Sequence, residues 1–113
     1  MFRPFKITMN RVHDTVRIVE GYENLTLKVD EDPMRMTAGI TESVRLMKTL
    51  DEKSTEEDSR NVALFFARVV FGKEQAEKLL EFYHNDAACV LSVCGQYTEK
   101  RLSKLIVKAQ KKQ

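Results

Sequence analysis

Apolar and polar residues alternate through the first third of the chain and then give way to a helical repeat. Phe5-Lys6-Ile7-Thr8-Met9 and Leu25-Thr26-Leu27-Lys28-Val29-Asp30 change character at every step, and Thr15-Val16-Arg17-Ile18-Val19-Glu20 is rich in β-branched residues. Such period-two alternation turns one face of a strand toward a core. Gly21-Tyr22-Glu23-Asn24 separates the last two stretches, with turn-tolerant residues at both ends, so the pattern predicts a β-hairpin. A competing helical reading exists, because Val12, Val16 and Val19 also share a helix face. We read strands, and assign residues 1–31 to a hairpin region and 32–113 to a helical region of one domain.

Asp32 can cap a helix, and Pro33 suits its first position, where a missing N–H costs nothing. Met36, Ile40, Val44 and Met47 then form a stripe. After Leu50 the chain is polar and acidic, from Asp51 to Asp58. Ser54 followed by Glu57 predicts a capping box there, and the acidic cluster suits the positive end of a helix dipole. The helix it opens has the strongest periodicity, with Val62, Phe65, Phe66, Val69 and Val70 on one stripe and Leu64 and Phe71 widening it. This is the expected core helix, stopped by Gly72.

A short helix follows, with Ala76, Leu79, Leu80 and Tyr83 on one face, and His84-Asn85-Asp86 breaks it. The last helix runs from about Asp86 to near Lys111, roughly 37 Å at about 1.5 Å per residue. Cys89, Val90, Val93, Cys94 and Tyr97 supply its first buried stripe, and Leu102, Leu105, Ile106 and Ala109 carry it onward. Gly95 inside it predicts either a close packing contact or a bend. The fold class is therefore mainly α (α+β): a small N-terminal hairpin followed by about four helices.

At 113 residues the chain fits one modest core. Lys plus Arg number 19 against 17 Asp plus Glu, far from the excess that announces a dedicated nucleic-acid binder. No apolar run approaches the roughly 18 to 20 residues that span a bilayer, and the N-terminus lacks the apolar stretch of a secretory signal. Both point to the cytoplasm.

No convergent catalytic set is visible, and no metal or cofactor is expected. His13 and His84 lie in no nucleophile or metal motif, and the glycines at 21, 39, 72 and 95 stand singly. His84, Cys89 and Cys94 have an H-x4-C-x4-C spacing, but five-residue steps on a helix leave successive side chains about 140° apart. Two packed thiols are the better reading.

The asymmetric feature is the C-terminal end, where Lys100, Arg101, Lys104, Lys108, Lys111 and Lys112 face only Glu99. Cations there are favoured by the helix dipole. With Leu102, Leu105 and Ile106 as an apolar seam, the same stretch makes a basic amphipathic arm. Leu102, Leu105, Ile106, Lys100, Arg101, Lys104 and Lys108 are the candidate partner-binding residues. A small nucleic-acid-binding or regulatory protein using this helix is the alternative reading, and steep salt sensitivity would reveal it.

Three stretches carry a family resemblance. Leu27-Lys28-Val29-Asp30-Glu31-Asp32-Pro33-Met34-Arg35-Met36 leads into a helix. Phe65-Phe66-Ala67-Arg68-Val69-Val70-Phe71-Gly72-Lys73-Glu74-Gln75-Ala76-Glu77-Lys78-Leu79-Leu80 follows, and a Cys-containing helix ends in Lys108-Ala109-Gln110-Lys111-Lys112. Over residues 25 to 113 the chain resembles small tail assembly chaperones of long non-contractile-tailed phages and prophages of Gram-positive bacteria. The likeness is strongest at the FF..V.FG...A.KL segment and weakest in the hairpin.

The resemblance implies a non-enzymatic, mostly helical protein of the host cytoplasm. It implies binding to the tape measure protein while tail tube protein polymerises around it, self-association into homo-oligomers, and absence from the mature virion. It supplies no catalytic residues. Met34, Met36 and Met47 fit adaptable apolar surface as well as core filling. Replacing Leu105 and Ile106 with Asp should leave folding intact and abolish oligomers or client binding. Unchanged association by light scattering would contradict the assigned seam.

Overall fold

A two-stranded antiparallel hairpin leads into four helices, in agreement with the alternation-to-helix change in the sequence. The computed structural model describes residues 11–111 and, beyond Arg101, the path of the last helix without its side chains. The strand expected over Phe5–Met9 lies outside the described residues. The elements are β1 (Val12–Glu20), β2 (Glu23–Glu31), α1 (Pro33–Met47), α2 (Glu56–Phe71), α3 (Lys73–Phe82) and α4 (Ala87–Lys111).

The hairpin register places Asp14 opposite Val29, Val16 opposite Leu27 and Ile18 opposite Leu25. Val12, Ile18, Leu27 and Val29 are buried, whereas His13, Thr15, Arg17 and Val19 point to solvent. Val12 and Val16 thus face inward and Val19 outward, so the helical alternative for these valines does not hold. The turn is tighter than expected: only Gly21 and Tyr22 lie between the strands, and Asn24 already pairs with Val19. Gly21 adopts φ +63° at the first central position, the requirement of a II′ turn, which glycine meets without a Cβ clash.

Asp32 caps α1 as expected, with the Met34 and Arg35 amides donating to its Oδ1 at 2.9 and 3.0 Å. The buried stripe of α1 is rotated from the expected one. Met36 and Ser43 are buried and Ile40 half-buried, but Val44 and Met47 are exposed. The small residues explain the rotation, because Gly39 lets α1 approach α2 where larger side chains would not fit. A Cβ placed at Gly39 would overlap Val69 Cγ1 and stand 3.1 Å from Cγ2.

At the start of α2, the capping box is one residue later than expected. Thr55 Oγ1 accepts from the Asp58 amide at 3.1 Å, and the Thr55 amide donates to Asp58 Oδ2 at 2.9 Å. Ser54 instead closes the preceding turn, its hydroxyl accepting from the Asp51 amide at 2.9 Å.

α2 is the central element, packing against α1, α3, α4 and β2. Its core face is Val62, Ala63, Phe66, Ala67, Val70 and Phe71, with Phe65 turned out at 38% exposure. The aromatic periodicity suggested Phe65 as core, but alanines at 63 and 67 occupy the close contacts and rotate it outward. Gly72, at φ +84°, ends α2 and begins α3.

α3 buries Ala76 and Leu79. It ends in a Schellman turn: the Asn85 amide donates to the Leu80 carbonyl at 2.8 Å and the His84 amide to the Glu81 carbonyl at 3.0 Å. His84 and Asn85 both take positive φ there. Val90, Cys94 and Tyr97 form the buried stripe of α4, flanked by half-buried Cys89 and Val93. Gly95 is not a close contact, for nothing lies within 4 Å of a Cβ placed on it.

The two helical glycines should therefore respond oppositely to alanine. Gly39→Ala should lower stability by about 1–3 kcal/mol, because the stiff Val69 side chain must move. Gly95→Ala should raise it by up to about 1 kcal/mol through helix propensity. Urea midpoints at unchanged slope check both, and a neutral Gly39→Ala would contradict the packing described.

Candidate functional site

The alternation that makes β1 a strand sends Asp14 to the same side as Val12, Val16 and Ile18. An inward carboxylate needs partners, and α4 supplies them one turn apart. The Tyr97 hydroxyl donates to Asp14 Oδ2 at 2.6 Å, and Arg101 Nη2 lies 3.1 Å from the same oxygen. The Arg101 and Asp14 side chains are 20% and 24% exposed, so water screens the pair only in part. Tyr97 also stacks at a tilt on Phe71, ring centroids 5.8 Å apart, which joins the polar tie to the core.

A second tie lies at the other end of β1, where the Tyr83 hydroxyl donates to Glu20 Oε1 at 3.0 Å. Burial, then the hydrogen bond to Glu20, pushes the Tyr83 phenol up to about 12. Burial, then the Asp14 carboxylate, raises Tyr97 as well. Burial pushes the Cys94 thiol up to about 12, so it stays protonated and unreactive at neutral pH.

Between β1 and α4 runs a groove of about 420 Å³. Seven consecutive strand residues, Asp14 through Glu20, line one wall, and Val93, Gln96, Tyr97, Lys100 and Arg101 line the other, with Tyr83 beside Glu20. Because successive side chains of a strand point to opposite faces, an unbroken run of seven means that the edge of the strand borders the groove. A shallower depression of about 700 Å³ lies where the starts of α2 and α4 come together, near Arg60 and His84.

The structure divides the candidate binding residues of the C-terminal arm. Lys100 is exposed at the groove, whereas Arg101 is held against Asp14 rather than presented on a free basic face. The helix continues through Leu102, Lys104, Leu105, Ile106 and Lys108 to Lys111, but the side chains of these five lie outside the described residues. The missed residue is Asp14, whose signal was its parity: it shares the inward positions of an otherwise apolar strand face.

Thr98 Oγ1 and Arg101 Nε are buried without a hydrogen-bond partner among the described residues. The described residues contain no group of three His, Cys, Asp or Glu able to hold a metal ion. No helix among them is long and apolar enough to cross a membrane. Comparison with protein-family models, curated proteins and solved structures finds no match to the chain.

The Tyr97 tie predicts an alkaline signature. A phenol whose folded pKa is raised keeps its proton after the unfolded chain has lost it. Its stabilising effect is thus complete below an unfolded pKa of about 10 and declines as pH rises through the folded value. Tyr97→Phe should cost about 1–2 kcal/mol at neutral pH and flatten the fall in stability between about pH 9 and about pH 11. Denaturant midpoints across that range check it, and an unchanged slope would remove Tyr97 from the account.

Proposed function

We propose that this chain is a non-enzymatic tail assembly chaperone of a long non-contractile-tailed phage or prophage. It binds the tape measure protein in the bacterial cytoplasm, keeps it soluble while the tail tube assembles, and leaves before the virion matures. The observation that carries this reading is the use made of the segment with the strongest resemblance. Residues 65–80 form the end of α2, the Gly72 junction and α3 as one unit. Phe66, Val70, Phe71, Ala76 and Leu79 from this unit are buried in the core, while Phe65 is left exposed.

Further apolar side chains stay at the surface. Met34 is 68% exposed, and Val44 and Met47 are exposed on α1, while Met36 fills the core. Flexible methionines suit a surface that must fit many apolar segments of a long helical client. Self-association through the terminal helix and contact with tail tube protein belong to the same proposal.

The test is co-expression with a tape measure protein of a long non-contractile-tailed phage, reading how much of that protein stays soluble and co-purifies. Rescue that persists at high salt is expected for apolar capture. No rescue, with nucleic acid carried along and released by salt, would overturn the reading in favour of a basic-helix nucleic-acid binder.

A further inference from the structure

The two outer edges of the hairpin are treated differently. On β2, Gln75 from α3 takes the place of a neighbouring strand. Its side-chain Oε1 accepts from the Lys28 amide at 2.7 Å, and its Nε2 donates to the Lys28 carbonyl at 2.5 Å. Bonding both backbone groups of Lys28 in this way hinders another chain from pairing with β2 at that point.

Lys28 faces Thr15 across the ladder, so Thr15 turns its own backbone groups away from β2. By the two-residue alternation of an antiparallel pair, Arg17 and Val19 do the same. These outward N–H and C=O groups belong to the edge that borders the groove, and no side chain among the described residues bonds to them.

We infer that the β1 edge is a docking site for an extended acidic peptide of a partner protein, added as a third strand in the groove against α4. The charge pattern selects that occupant. Asp14 is matched by Arg101 and Tyr97, and Glu20 is tied to Tyr83 at the far end. Arg17 and Lys100 make no ion pair among the described residues and flank the groove.

An added strand would place alternate residues toward Val16, Val93 and Tyr97, where apolar side chains fit, and the others beside Arg17, where carboxylates fit. A second copy pairing edge to edge about Arg17 would set Arg17 against Arg17 and Asp14 against Glu20, which like charges oppose. This site is separate from the chaperone reading and stands or falls without it.

A capped heptapeptide alternating Glu and Val, titrated into the whole chain, tests the proposal. Amide resonances of Thr15, Arg17 and Val19 should shift on binding. A peptide N-methylated at its central residue should not bind, having lost strand pairing. The exposed pair Arg17→Glu with Lys100→Glu should weaken binding roughly tenfold and favour the Lys–Val counterpart. No binding of the Glu–Val peptide, equal binding of the Lys–Val or N-methylated peptide, or dimerisation through this edge would each overturn the proposal.

Discussion

A hairpin of two strands does not hold itself together in water, and this constraint shapes the rest of the molecule. Among the described residues, the contacts that hold β1 and β2 beyond their own ladder come from helices that follow later in the chain. Leu27 and Val29 sink fully into the core beside α2 and α3, and the Gln75 amide fastens the outer edge of β2. On the other strand, Asp14 and Glu20 are held by tyrosines 97 and 83, from beyond α2. The hairpin is therefore part of the core and not an appendage, and its stability is inseparable from the positions of α3 and α4.

α2 makes that arrangement possible because it can be approached from several sides. Ala63 and Ala67 are fully buried and keep its core face narrow, and Gly39 brings α1 against Val69. The bulk is concentrated at Phe66, among the largest fully buried side chains. Small residues at the contacts and one large residue at the centre allow α1, α3, α4 and β2 to share a single helix. The cost is that bulky residues off the core face, Phe65 on α2 and Val44 on α1, are left at the surface.

Much of this was legible in the residues. Alternation gave the strands, Asp32-Pro33 gave the start of α1, and the stripe of α2 marked the central helix. What periodicity misjudged has a common physical source. Apolar repeats rank large residues as core, so Val44, Met47 and Phe65 were expected inside, while the close contacts belong to glycine, serine and alanine. The capping box moved by one residue because Ser54-Thr55 and Glu57-Asp58 offer the same chemistry in two registers, and the Asp51 turn chose between them. Arg101 read as one cation among six because its partner lies 87 positions away, at Asp14. Long-range polar pairs leave no local pattern, although the inward parity of Asp14 was a usable signal.

That pairing also changes the reading of the C-terminal helix. Its first basic residues are not equivalent: Lys100 is exposed and makes no ion pair among the described residues, whereas Arg101 is held against Asp14. These ties join hairpin and helices into one cooperative unit, and native-state amide hydrogen exchange measures this directly. The backbone amides of Leu27 and Val29 should exchange with the same opening free energy as that of Phe66 in α2. Rapid exchange across β1 and β2 with α2 still protected would show a separately opening hairpin and contradict the account.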